Sequence, residues 1–381
     1  MKSAGMAKRF FMQGNEACAE GAIAAGCKLF AGYPITPATE IAEIMSQRLP
    51  QVGGVYVQGE DEIASLAMVV GASTAGWKAM TATSGNGICL MQEEIAYAAM
   101  TEVPCVLVDA QRVGPGAGSA TKAMQGDFYQ VRYGGNADYS IIALAPDSPQ
   151  EMFELTVKAF NLAEEYRTPV FVMSDEIISH MYELVQLPSP DELKIVNRVK
   201  PTCEPSEFVP FEAPENGVPP MPAFGDGYAY PLSSFTRNEK GIPSVNAKVH
   251  DKLVSRLWNK IELNADKIVT YETAYLDDAE VVFVSYGSVS RSVRRAVENL
   301  RQNGTKAGWF RLITLWPFPD AALKEVASAV GSVIVPEMSQ GKLVREVQRA
   351  VGGKADVIPF SKAGVEMHRP QEIEEFIRRV L

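Results

Sequence analysis

Three side chains stand at the ends of short apolar runs, where an α/β protein would gather its chemistry. Thr36 lies between two prolines in AGYPITPATEIAEIM (31–45). Glu62 is the last of three acids in QGEDEIASLAMVVGA (58–72), and Arg112 precedes the glycine-rich loop of VDAQRVGPGAG (108–118). A hydroxyl, a carboxyl beside apolar residues and a guanidinium on one face could bind and polarise a small polar ligand. Each also has a purely structural reading. Thr36 is predicted to cap a helix whose first position is Pro37, and acids in a first turn complement the helix dipole. On the residues alone both readings stand.

The elements that would position these groups alternate in period. Strands are predicted at 29–33, 54–59, 78–83, 104–110, 139–145 and 169–175, with helical patterns at 15–26, 37–48, 60–74, 88–99 and 148–165. Short apolar strands separated by helices imply a parallel sheet covered on both faces, which binds ligands at the carboxyl ends of its strands. From 188 to 243 the texture changes. That stretch holds 11 of the 24 prolines and shows no sustained period, so it is predicted to be an extended connection. Its FVPFEAP and FGDGYAYPL are too aromatic for a free linker, so it should pack against something. A charged amphipathic helix follows at about 247–263. The last hundred residues then hold four more strand–helix pairs, beginning with EVVFVSYGS (280–288). The expected division is 1–187, 188–270 and 271–381.

Bulk properties remove several function classes. The 381 residues suffice for two cores, and 46% hydrophobic with 22% charged residues is ordinary for a globular protein. A formal charge of −10 argues against nucleic acid or an anionic membrane as a partner. No apolar run approaches a membrane span of about 18–20 residues, and the N-terminal MKSAGMAKRFFMQGNEA shows no secretory pattern. A cytoplasmic protein is expected. Cys18, Cys27, Cys89, Cys105 and Cys203 form no C-x-x-C, so this chain is not expected to hold an iron–sulfur cluster alone. His180, His250 and His368 lack metal-ligand spacing, and no metal is expected in the chain. There is no P-loop or dinucleotide fingerprint, since GPGAG (114–118) is not G-x-G-x-x-G. The Gly-Asp-Gly of FGDGYAY (224–230) has no preceding strand or following helix to hold a metal, so Asp226 is read as part of a turn.

With FAGYPITPATEI, GEDEIASLAMVVGAS, AMTATSGNGICLMQEEIAYAAMTEVP, the QR at 111–112, FNLAEEYRTPVFVMSDEI and RLITLWPFP, nearly the whole chain resembles the alpha subunits of the 2-oxoacid:ferredoxin oxidoreductases, closest to the 2-oxoglutarate (KorA-type) branch. The resemblance implies a pyrimidine-type thiamine-diphosphate-binding doubly wound domain followed by a smaller transketolase C-terminal-like α/β domain. It implies that Glu62 hydrogen-bonds the aminopyrimidine ring, and that Thr36 and Arg112 hold the 2-oxo and carboxylate groups of the substrate. A carboxylic acid against a pyrimidine nitrogen favours the ring tautomer that thiamine chemistry requires. A guanidinium suits a planar carboxylate through paired hydrogen bonds.

The same resemblance implies a divided site. Thiamine diphosphate would be shared with a beta subunit that carries the diphosphate-binding half, Mg²⁺ and an iron–sulfur cluster. Gamma and ferredoxin-like delta subunits are expected as separate chains, with ferredoxin, coenzyme A and a 2-oxoacid as reactants. The reaction would be CoA-dependent oxidative decarboxylation of the 2-oxoacid to an acyl-CoA, or its reverse. Two loops depart from the pattern: SGNG (84–87) stands where many relatives read SGPG, and VGPGAG (113–118) where they commonly read GGPSTG. Alternative substrates are therefore a branched-chain 2-oxoacid (2-oxoisovalerate) or an aryl glyoxylate. A non-catalytic structural subunit and a stand-alone nucleotide-binding protein are the readings of other classes.

Overall fold

A computed structural model describes residues 8–380. The first seven residues of the N-terminal stretch read for a secretory signal lie outside them. The chain opens on β1 (Lys8–Gln13) and continues through β2 (Cys27–Gly32), β3 (Val55–Gln58), β4 (Lys78–Thr83), β5 (Cys105–Gln111), β6 (Ile142–Leu144) and β7 (Pro169–Asp175) to β8 (Tyr182–Leu187). After the proline-rich stretch come β9 (Tyr271–Ala274), β10 (Val281–Tyr286), β11 (Ala307–Leu312), β12 (Thr314–Trp316), β13 (Ser332–Glu337) and β14 (Asp356–Ser361).

Strands β2 to β7 form a sheet in the order β12-β6-β7-β5-β4-β2-β3, parallel throughout except at β12. Every residue of β4, β5 and β7 is buried, which explains the apolar runs of β5 and β7. The second sheet, β14-β13-β10-β11-β9, is parallel but for β9. This is the expected fold class: a doubly wound sheet domain followed by a smaller α/β unit.

Two local readings are corrected, and two strand pairings have no counterpart in the sequence reading. β1 and β8 pair antiparallel across the sequence, and neither was predicted. The helix expected at 88–99 breaks at Met91 into Gly85–Leu90 and Gln92–Thr101. RLITLWPFP splits between two sheets: β11 ends at Leu312, and β12 pairs with β6. The helix after β2 begins at Thr39 with Ala38 at its cap, not with Thr36. The amide of Ala38 donates to the Ile35 carbonyl at 2.9 Å, a turn that delays the helix by two residues.

The proline-rich stretch packs on the first unit, as expected. Buried Arg198 pairs with Glu164 at 2.6 Å and donates to the Ser73 carbonyl at 2.7 Å. Lys78 Nζ reaches the Val196 carbonyl at 2.7 Å. FGDGYAY forms a turn in which Asp226 accepts from Lys200 at 2.8 Å and from the Ala223 amide at 3.1 Å. Cys18, Cys27 and Cys105 are buried free thiols, pushed up to about 12 by burial. No helix among the described residues is long and apolar enough to cross a membrane.

Candidate functional site

The carboxyl ends of β2, β4 and β5 bring the predicted residues together. Thr36 follows β2, the segment 84–87 follows β4, and Arg112 is the first residue past β5. Arg112 Nη1 donates to the Thr36 carbonyl at 2.7 Å, and Nη2 approaches Asn86 Oδ1 at 3.5 Å. Arg112 Nε has no acceptor among the described residues. Buried Asn15 donates to the Pro37 carbonyl at 2.7 Å and to Glu40 at 2.9 Å, which fixes the loop that carries Thr36. Thr36 therefore enters the cluster by its carbonyl, and its hydroxyl caps no helix.

Glu62 is the first residue of helix Glu62–Thr74, yet it does not cap it. Asp61 takes that role by accepting from the Ala64 amide at 2.7 Å. Freed from capping, Glu62 is 6% exposed and enters no ion pair among the described residues. Its neighbour is Gly87: a Cβ added there would lie 2.7 Å from Glu62 Cγ, 2.9 Å from Oε1 and 2.0 Å from Thr83 Oγ1. Only a glycine lets the backbone pass so close. The segment 84–87 thus links the two halves of the cluster, with Gly87 against Glu62 and Asn86 facing Arg112.

Asn86 was noted in the sequence only as a departure, and its structural role was missed. Its Nδ2 donates to the Gly116 carbonyl at 2.9 Å, tying the 113–119 loop to the guanidinium. That loop closes on itself through a bridge between Val113 and Ser119. Gly118 (φ +52°) faces the Val113 carbonyl so closely that a Cβ would sit 1.7 Å from its oxygen.

Two further acids lie beneath the cluster. Burial, then the neighbouring Asp127, raises the Asp109 carboxyl well above its ordinary range, and neither of its oxygens has a partner. Burial pushes Asp127 up to about 6, opposed by Lys342 and Arg112. Its carboxylate occupies the space that a Cβ on Gly85 would need, 2.5 Å from Oδ1. No sequence pattern singled out either acid.

The residues fit the pyrimidine end of thiamine diphosphate. The cluster offers a buried carboxyl free of ion pairs, an orphaned buried hydroxyl on Ser84 and an arginine with an unused donor. Among the described residues there is no group of three or more side chains that could hold a metal ion.

Two family models match. "Pyruvate flavodoxin/ferredoxin oxidoreductase, thiamine diP-bdg" covers residues 20–256, and "Pyruvate:ferredoxin oxidoreductase core domain II" covers 279–373. The 2-oxoglutarate synthase subunit KorA of Methanocaldococcus jannaschii is 54% identical over 96% of this chain and 98% of its own length. The ketoisovalerate oxidoreductase subunit VorB of Methanothermobacter thermautotrophicus is 38% identical over 97% of both. Among solved structures, the 2-oxoglutarate:ferredoxin oxidoreductase of Magnetococcus marinus, with 2-oxoglutarate, coenzyme A and succinyl-CoA bound, superposes with a TM-score of 0.91 at 33% identity. That match covers 97% of this chain and 65% of the other.

Proposed function

The chain belongs to the thiamine-diphosphate-binding pyruvate flavodoxin/ferredoxin oxidoreductase family, and from that premise we propose that it is the alpha subunit of a 2-oxoglutarate:ferredoxin oxidoreductase of the cytoplasm. The overall reaction joins 2-oxoglutarate and coenzyme A into succinyl-CoA and CO₂, with two electrons passed to ferredoxin, or runs in reverse. Similarity to the KorA subunit across nearly its full length supports 2-oxoglutarate over 2-oxoisovalerate, because the VorB relative is more distant. A beta subunit supplies the diphosphate half, Mg²⁺ and an iron–sulfur cluster in this reading, and gamma and delta chains complete the electron path.

The observation that carries the proposal is the placement of Glu62 against one end of the segment 84–87 and of Arg112 against Asn86 in the same segment. Glu62 holds the aminopyrimidine of thiamine diphosphate and exchanges a proton with it. When bound, that cofactor supplies the electron sink for decarboxylation. Arg112 takes the substrate carboxylate on its unused Nε and its weakly engaged Nη2. Holding that group orients the carbon–carbon bond that must break. The Thr36 hydroxyl, free of capping, donates to the 2-oxo oxygen.

The test is a 2-oxoacid panel on the co-purified complex, with ferredoxin or a viologen as acceptor. The highest kcat/KM is expected for 2-oxoglutarate, and the isolated chain should be inactive. Glu62→Gln should abolish turnover while the complex still assembles. Turnover by the single chain, or near-normal turnover of Glu62→Gln, would refute the assignment. A preference for 2-oxoisovalerate would replace the substrate and leave the class intact.

A further inference from the structure

At the opposite end of β5 from Arg112, one buried acid serves four cations. Glu102 follows helix Gln92–Thr101 in the left-handed region (φ 58°) and is wholly buried. Its carboxylate lies 2.6 Å from Arg256, 3.1 Å from Lys260 and 3.6 Å from Arg237, and its carbonyl accepts from Arg167 Nε at 3.1 Å. Arg167, Arg237 and Lys260 are at most 3% exposed. The carboxyl ends of helices Gln92–Thr101 and Pro149–Tyr166 add partial negative charge. Arg237 donates to the Met100 carbonyl at 2.7 Å, and Lys260 to that of Arg167 at 2.8 Å.

Compensation is incomplete. Burial, opposed by Glu102 and aided by neighbouring cations, brings Lys260 down to about 8 and Arg167 and Arg237 down to about 10. Arg237 Nε has no acceptor. In a chain of net charge −10, this is a concentration of uncancelled positive charge.

Arg237 and Arg256 line a cavity of about 720 Å³ beside helix Ala247–Glu262. Arg256 is held charged by its paired bonds to Glu102, and Arg237 lies buried over the Phe211 ring with its Nη groups donating to the Ser233 and Met100 carbonyls. Lys240 and Lys248 also line it, and neither enters an ion pair among the described residues. Of the acids on the wall, Glu239 is engaged by Lys252, which leaves Glu212. Val209, Phe211, Val249 and Leu253 give the wall an apolar part, beside the polar Asn238. Strand β5 separates this cavity from Arg112 by about 20 Å of rise, so it is distinct from the site described above.

We propose that this cavity binds a small organic phosphate, with its charged end held by Lys240 and Lys248, the engaged guanidiniums of Arg237 and Arg256 adding positive potential behind them, and its organic part against the apolar wall. The size, the local excess of positive charge and the mixed lining suit that class better than a bare ion. The proposal does not depend on the reaction assigned to the chain.

Calorimetric titration of the assembled complex, preloaded with thiamine diphosphate and Mg²⁺, with ADP and with inorganic pyrophosphate tests it. ADP is expected to bind saturably, one per chain, more tightly than pyrophosphate and more weakly at high salt. The doubly substituted Lys240→Ala/Lys248→Ala variant alters two exposed side chains. It should bind ADP at least tenfold more weakly while kcat/KM for the 2-oxoacid stays unchanged. No saturable binding, as when an acidic segment of a partner chain fills the cavity, overturns the proposal. So does equal affinity in the variant, and so does pyrophosphate binding as tightly as ADP.

Discussion

Arg112 leaves one nitrogen without a partner and another only weakly engaged, although its side chain is half-buried beside Thr36 and Asn86. An arginine with donors to spare in such a place is poised for an anion. Each charge-assisted hydrogen bond contributes roughly 1.5–3 kcal/mol, which is about 10- to 150-fold in an equilibrium constant. Arg112→Ala is accordingly expected to lower kcat/KM for the 2-oxoacid by that range, mainly through KM. Arg112→Lys should recover little, since an ammonium cannot span both carboxylate oxygens. An unchanged kcat/KM in the alanine variant would take Arg112 out of the site. Thr36 separates two roles of one residue: its carbonyl holds Arg112, while its hydroxyl is assigned to substrate. Thr36→Val keeps the first and deletes the second. A loss of roughly tenfold in kcat/KM is expected, as for one hydrogen bond of about 1–1.5 kcal/mol, and equality with the parent would leave only the carbonyl at work.

Elements differ in how openly the sequence declared them. β7 matches its predicted range because a fully buried strand writes itself as a nearly continuous apolar run, and β4 matches its own although Lys78, Thr81 and Thr83 interrupt it. β1 and β8 were illegible for the opposite reason: each is half polar, and each exists only because the other, some 170 residues away, pairs with it. β12 was hidden because no local pattern states which sheet a three-residue strand will join. At the site, Glu62 and Arg112 were visible from their position at strand ends, whereas Asn86, Asn15 and the Asp109–Asp127 pair depend on contacts between distant segments. The terminal helix Pro370–Val380 is held by His368, one of the three histidines without metal-ligand spacing. His368 is wholly buried, donates from Nε2 to the Phe360 carbonyl at 2.7 Å and leaves Nδ1 unpartnered. Phe360 in turn stacks on Phe376 of that helix, 4.1 Å between ring centroids. Burial brings His368 down to about 4 from 6.5, a shift that Phe360 and Glu372 oppose and Lys362 aids. Between those values the unfolded chain binds the proton more readily, so stability falls as pH drops from 6.5 to 4. The full shift corresponds to about 3 kcal/mol. His368→Gln keeps a donor for Phe360 and cannot titrate, so its urea midpoint is expected to vary less with pH across that window than the parent's. Parallel curves would mean that other groups set the acid limit.

The whole molecule is joined where the two sheets bring their strand ends together, and Gln125 is the residue in that joint. It is 1% exposed. Its amide donates to the Met338 carbonyl, just past β13, at 2.8 Å, and its Nε2 donates to the Tyr286 carbonyl, at the end of β10, at 2.9 Å. In return the Tyr286 hydroxyl donates to the Gln125 carbonyl at 3.3 Å, and the Met338 amide reaches Oε1 at 3.4 Å. Nearby, Asp175 at the end of β7 accepts from the Ser288 amide at 3.2 Å, and Lys342 donates to the Gly126 carbonyl. The segment that begins at Arg112 is thus anchored at its far end to the second unit, so the geometry of the candidate site depends on how the units dock. Gln125→Leu keeps the volume but removes the side-chain bonds, leaving the Tyr286 carbonyl and the Met338 amide buried and unpaired. At roughly 1–3 kcal/mol for each of the two orphaned groups, the variant should be less stable by about 2–6 kcal/mol, read as a lower denaturant midpoint. Because the 113–127 segment keeps only the backbone bonds of Gln125 and loses its side-chain ones, KM for the 2-oxoacid should rise in the assembled complex under conditions where the variant remains folded. A stability loss with unchanged KM would show that the joint holds the two units together without setting the position of Arg112.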